Sequence, residues 1–135
     1  MTVPSSDMMT NPAAGNVVLV GDGAPILVPS GQPVTLQDVI WNEMGPHGLT
    51  MRFRFLAPQI ARAGGAVDFD AAVQDMQVLC EQFALPRIAE FGPMPQQIII
   101  SLSDVAVPFG ETAPEATQFF EAFALQDGAC IWEIY

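Results

Sequence analysis

A chain of 135 residues, half of them hydrophobic, is long enough to close one hydrophobic core and too apolar to stay disordered. Fifteen acidic residues stand against four arginines (Arg52, Arg54, Arg62, Arg87) and no lysine, a net charge of −11. That balance argues against nucleic-acid binding, because neutralising phosphates takes several cations on one face and only Arg52 with Arg54 approaches that; no run of about eighteen apolar residues occurs either, so no membrane insertion is expected.

Residues 1–30 are rich in Pro, Gly, Ser and Asn and read as an extended, partly disordered arm with at most one edge strand. Two short apolar pieces interrupt it, Asn16 to Val20 and Pro25 to Val28, with Gly21-Asp22-Gly23 as a turn between them. Pro25 and Pro29 limit the ladder donors there. The first twenty residues have no basic n-region and no adequate apolar h-region, so they do not read as a secretory signal. Residues 31–135 are expected to form a single α+β domain.

Val34 to Asn42 is strand-like, and Leu49 to Leu56 alternates cleanly, with Leu49, Met51, Phe53 and Phe55 on one face and Thr50, Arg52 and Arg54 on the other. Such period-2 alternation marks a half-buried antiparallel strand, and the pair is predicted to be a hairpin. His47 sits in its Gly-Pro-His-Gly turn and reads as a solvated turn histidine, since no nucleophile or carboxylate is tied to it by a recognisable spacing.

Asp68 is placed to cap a helix running to about Leu85, where Pro86 stops it. Phe69, Val73, Met76, Cys80 and Phe83 recur along it at helical spacing and form one apolar stripe. Arg87 to Pro95 is a connector, Gln96 to Ser103 a nearly continuous apolar strand, and Ser103 to Ala116 a long loop. The chain ends in a second hairpin hinged on Asp127-Gly128, a pair that favours a type I′ turn and so sets the register. Leu125 then faces Cys130 and Phe123 faces Trp132. The more apolar face holds Phe119, Phe123, Leu125, Cys130, Trp132 and Ile134, and the other face holds Glu133. The order β-β-α-β-β-β predicts a two-layer α+β sandwich: an antiparallel sheet of about five strands with one main helix on one face.

Two cysteines are too few for a tetrahedral metal site, and no CxxC motif is present. Cys80 lies on the helix stripe and Cys130 on the more apolar hairpin face, so a helix packed on that face would let the thiols meet. A disulfide would close a loop of about fifty residues, worth roughly 3–4 kcal/mol, and would imply an oxidising compartment. Two free buried cysteines packing as small hydrophobes are the other reading.

No nucleotide-binding, hydrolase or metalloprotease motif is present. No catalytic residue, cofactor or metal site is therefore implied. Arg52 and Arg54 share a strand face and form a possible anion site; cross-strand pairing with Glu133 is the plainer reading. The long loop gathers Asp104, Glu111 and Glu115 without the spacing of a calcium loop. Its Val107-Pro108-Phe109-Gly110 centre is placed to present an aromatic tip, which makes Asp104, Pro108, Phe109 and Glu111 a candidate partner-binding loop.

The blocks VPSGQPVTLQDVIWNE, LTMRFRFLAP, the helix with its cysteine, and IIISLSD…VPFGETAPEATQFFEAF…DGACIWEIY resemble a small alphaproteobacterial family of unknown function. The likeness covers about residues 26–135. Members usually begin with a signal peptide, which implies a periplasmic or secreted protein and supports the Cys80–Cys130 pair; this chain departs from them at its N-terminus. Some members carry an acetolactate-synthase label, which a chain this short, without a thiamine-site motif, does not support. The resemblance brings no catalytic residue. The leading expectation is a small non-catalytic accessory or protein-binding domain of the cell envelope with a protein partner. The alternative is a small-ligand-binding protein or enzyme using Arg52, Arg54 and nearby carboxylates. A cytoplasmic protein with free thiols follows if the native start is Met1.

Overall fold

The computed structural model describes residues 16–45, 48–61, 64–91 and 94–133; the turn at His47 and the start of the arm lie outside them. Six strands form one sheet in sequence order: β1 (Asn16–Val20), β2 (Thr35–Gly45), β3 (Gly48–Leu56), β4 (Gln97–Ser103), β5 (Gln118–Gln126) and β6 (Ala129–Glu133). The helix α1 (Phe69–Val78) lies between β3 and β4 in the chain and continues through a wider π-helical turn, Leu79–Ala84.

The α+β class holds, but the sheet is mixed and has one strand more than the five expected. All neighbours are antiparallel except β3 and β4, which pair in parallel from Thr50↔Gln97 to Leu56↔Ser103. The cause is the helix. A chain that leaves a strand, crosses one face as a helix and pairs beside the strand it left must run in the same direction, whereas the hairpin-only reading carried antiparallel order through the middle of the sheet. The sixth strand is the apolar piece of the arm, which pairs with β2 through Val17↔Ile40 and Leu19↔Val39, with a bulge between.

Local signals explain the elements themselves. Asp68 accepts the Ala71 N–H at 3.0 Å and caps α1, as its position before the apolar stripe predicts. Asp127 and Gly128 both have positive φ, 53° and 76°, which the two-residue turn requires. The resulting register, Leu125↔Cys130 and Phe123↔Trp132, is the expected one. In the helix the core side is rotated slightly from the predicted stripe. Ala72, Met76, Leu79, Cys80 and Ala84 are buried, while Phe69 is exposed and packs edge-on against Phe119. The π turn accounts for part of this, since the Leu85 N–H reaches back five residues to the Cys80 carbonyl and shifts the last side chains around the axis.

The core lies between the helix and one sheet face. Met51, Phe53 and Phe55 of β3, Ile98, Ile100 and Leu102 of β4, and Phe123 of β5 are essentially inaccessible. Each such side chain contributes about 1.5–3 kcal/mol by leaving water. Phe83 stands edge-on to Phe53 and Phe55, with centroids 6.3 and 5.5 Å away. Cys80 and Cys130 lie at disulfide distance with Cα atoms 6.3 Å apart, tying the helix to the edge strand β6.

One carboxylate sits inside this layer. Asp75, fully buried on α1, accepts the Ser30 N–H at 2.9 Å, the Ser30 hydroxyl at 2.6 Å and the Gln32 amide at 2.7 Å. Three donors replace the water that the charge has lost, and they fasten the end of the arm onto the helix. Asp75→Ala leaves the buried Gln32 amide without its acceptor, so a stability loss of about 2–3 kcal/mol is expected in urea unfolding. An unchanged midpoint would mean that the Asp75 contacts add nothing to the strand pairing and packing that already hold the arm.

Candidate functional site

The sheet face opposite the helix carries the polar side chains of the central strands. Alternation along β3 turns Arg52 and Arg54 to this side, and the β2–β3 register sets Asp38 opposite Arg54. The two close a fork: Arg54 Nε donates to Asp38 Oδ1 at 2.7 Å and Nη2 to Oδ2 at 2.8 Å. Their side chains are only 13% and 11% exposed. Across the parallel pair, Arg52 Nη1 donates to the Ser101 hydroxyl at 3.1 Å, and the Phe120 ring of β5 lies 5.6 Å from its Cζ. Further along the same face, Thr50 donates to Gln97 Oε1 at 3.2 Å and Gln97 Nε2 donates to Glu133 at 2.8 Å. Glu133 thus occupies the face that the hairpin register assigns it, while Arg54 takes Asp38 as its carboxylate.

The long loop folds down onto this face. Its base is pinned by Asp104, whose side chain accepts the Thr117 N–H at 2.9 Å while its own N–H donates to the Thr117 carbonyl at 3.1 Å. Its middle is held by Gln37 Nε2, which donates to the Val107 carbonyl at 2.8 Å. Val107 is consequently buried. Phe109 turns inward, with its ring 5.4 Å from Arg54 Cζ, so the aromatic side chain covers a cation and is half-buried. Pro108 and Glu111 stay exposed at the loop's crest, joined by the Glu111 N–H donating to the Pro108 carbonyl at 3.1 Å. Among the described residues, no three His, Cys, Asp or Glu side chains gather as metal ligands.

Between loop and sheet remains a recess of about 120 Å³ that Arg52, Arg54, Ser101, Ser103, Phe109 and Phe120 line. That is room for about four waters or one small anion, well below the roughly 300 Å³ at which small-molecule pockets begin. The structure therefore brings Arg52, Arg54 and Phe109 together, places Asp104 at the loop's hinge, and leaves Cys80 and Cys130 on the opposite side of the sheet. Asp38, Ser101 and Phe120 were not singled out from the sequence. Asp38 does carry a signal, a polar residue inside the apolar run TLQDVIW, but bulges between Leu36 and Asp38 and between Ile40 and Glu43 break the period-2 count that would have aligned it with Arg54.

Residues 8–135 match the profile of a family of unknown function, DUF6497. The chain belongs to this family. That agrees with the expectation that the residue blocks quoted above raised, and it extends over nearly the whole sequence. Among curated proteins and among solved structures, none matches the chain. Membership in a family of unknown function assigns no chemistry to the site. Among the described residues no helix is long and apolar enough to cross a membrane.

Proposed function

We propose that this member of the family is a small non-catalytic protein-binding domain of the bacterial cell envelope, which receives its partner on the helix-free face beside the 104–116 loop. The observation that carries this reading is the Arg54–Asp38 fork. A guanidinium closed by a buried carboxylate and roofed by Phe109 is scaffold rather than a charge held ready for substrate. Two large apolar side chains stand in solvent here, Phe120 beside the recess at 53% exposure and Val105 in the loop at 52%, and such residues suit a protein contact. The envelope location draws on the cysteine pair, which suits an oxidising compartment, and on the signal peptides of the family that the sequence resembles.

The test is a pull-down from envelope extracts with wild type, Phe120→Asp and Phe109→Ala, all checked for fold by circular dichroism. Wild type should recover a partner that Phe120→Asp loses and Phe109→Ala retains weakly. Recovery of nothing, or of the same proteins by all three, rejects the surface. The recess between the arginines favours a second reading, a site for one small anion. Under it, phosphate should raise the melting temperature of wild type but leave that of Arg52→Gln where it was.

A further inference from the structure

On the helix side of the sheet, at the β1 edge, lies a much larger cavity. Its volume is about 610 Å³, within the roughly 300–1,000 Å³ usual for small-molecule sites. Leu36 and Leu79 form its floor, Leu19 and Ile26 one wall, Val78 and Phe83 the other. The cavity is built into the chain path. The Gly21 N–H donates to the Gln37 carbonyl at 2.9 Å and the Ile26 N–H to the Val34 carbonyl at 2.9 Å. At Gly21 the backbone passes so close to β2 that a Cβ would overlap the Leu36 carbonyl oxygen. With both points tied to the sheet, the chain between them must arch away, and the Asp22 carboxylate holds that arch by accepting the Ala24 N–H at 3.0 Å. The wall is thus preformed.

Among the described residues, Arg87 is the one cation lining this cavity. Its Cζ lies 3.7 Å from the centroid of the Phe83 ring, and Nη1 donates to the Phe83 carbonyl at 2.8 Å. In a chain with fifteen acidic residues, Arg87 has no carboxylate partner among the described residues. A guanidinium stacked on an aromatic face keeps its in-plane N–H groups for a planar, two-oxygen acceptor. We infer that this cleft binds a small amphiphile with an aliphatic tail and a single carboxylate head, the tail against the half-buried Ile26, Val78 and Phe83 and the head on Arg87. A polyanion is disfavoured by the net charge and by Asp22 at the rim, whereas one carboxylate exchanges its water for one guanidinium. The site lies across the sheet from the proposed partner face and does not depend on it.

The experiment is calorimetry on the full chain at about 0.15 M salt, where long-range repulsion is screened beyond about 8 Å, with decanoate, decanol, decylammonium and acetate as probes. Decanoate should bind at least about tenfold more tightly than decanol or decylammonium, with no detectable acetate binding. Arg87→Gln should erase the advantage of decanoate over decanol while decanol binding stays unchanged. Leu27 is 94% exposed at the cleft mouth, so Leu27→Glu tolerates folding and should weaken decanoate about tenfold but decanol little; this variant decides the matter if Arg87→Gln does not fold. If Arg87 merely caps the helix end, its loss lowers stability and leaves the decanoate-to-decanol ratio as it was. Equal binding of decanoate and decanol by wild type, binding of decylammonium as tight as decanoate, or no binding by any probe overturns the inference. So does a doubled mass in light scattering that Leu27→Glu returns to the monomer, which would make a second copy the occupant.

Discussion

Replacing both Cys80 and Cys130 by alanine lowers the unfolding free energy by about 4 kcal/mol. The sulfurs join positions 50 residues apart, and closing a loop of that length removes about 4 kcal/mol of conformational entropy from the unfolded chain. Both residues are buried, so alanine leaves only a small void and most of the effect comes through the denatured ensemble. Urea unfolding of wild type with and without reductant, beside the double variant, measures it. The reduced wild type should coincide with the variant, and both should fall well below the oxidised protein. Against total stabilities of about 5–15 kcal/mol for such domains, the reduced form would retain little reserve. Identical midpoints for oxidised and reduced protein would show that the pair does not cross-link in solution.

Asp38→Ala is expected to cost about 3–5 kcal/mol, the value for removing one partner of a buried ion pair. The reason is what remains. Arg54 would keep its charge under Phe109 with neither its carboxylate nor free access to water. If that cost is desolvation, removing the other partner as well should restore most of it, so Asp38→Leu with Arg54→Met is predicted to lie within about 1–2 kcal/mol of wild type. A double-mutant cycle in chemical denaturant isolates the coupling. A loss below about 1 kcal/mol for Asp38→Ala would place the fork among solvent-screened surface pairs. It would also remove the main ground for reading these arginines as scaffold.

Much of the fold was legible because its signals are local. Asp68 before an apolar stripe, Asp127-Gly128 between two apolar runs, and the Met51-Phe53-Phe55 alternation each act within a few residues. What stayed hidden depends on contacts far apart in the chain. Gln37 holds the loop carbonyl of Val107, 70 residues away, and that contact sends Phe109 inward where the loop sequence alone suggested an outward tip. Ser30 and Asp75 are 45 residues apart, and nothing near Asp75 marks it as buried. The direction of β4 was invisible for a similar reason: an apolar run carries no arrow, and only the crossover through α1 supplies one. At the candidate sites the residue types that stood out were the charged ones, Arg52 and Arg54. Arg87 did not, because its meaning comes from Phe83 stacking and from the path of an arm that the sequence presented only as extended, with at most one edge strand.

The parallel pairing of β3 with β4 has a kinetic side. It divides the sheet into two halves, β1 to β3 and β4 to β6, within each of which every pairing joins consecutive antiparallel strands. The tight hairpins β2–β3 and β5–β6 close in about 1–10 µs, but the midline must wait until the intervening helix has found its place, because non-local pairing comes only after its loop entropy is spent. Until then β3 and β4 are both open edges, and β4 is a strand that the finished sheet buries along nearly its whole length. The centre of the finished sheet is therefore the place where a newly made chain is most exposed to pairing with a neighbour.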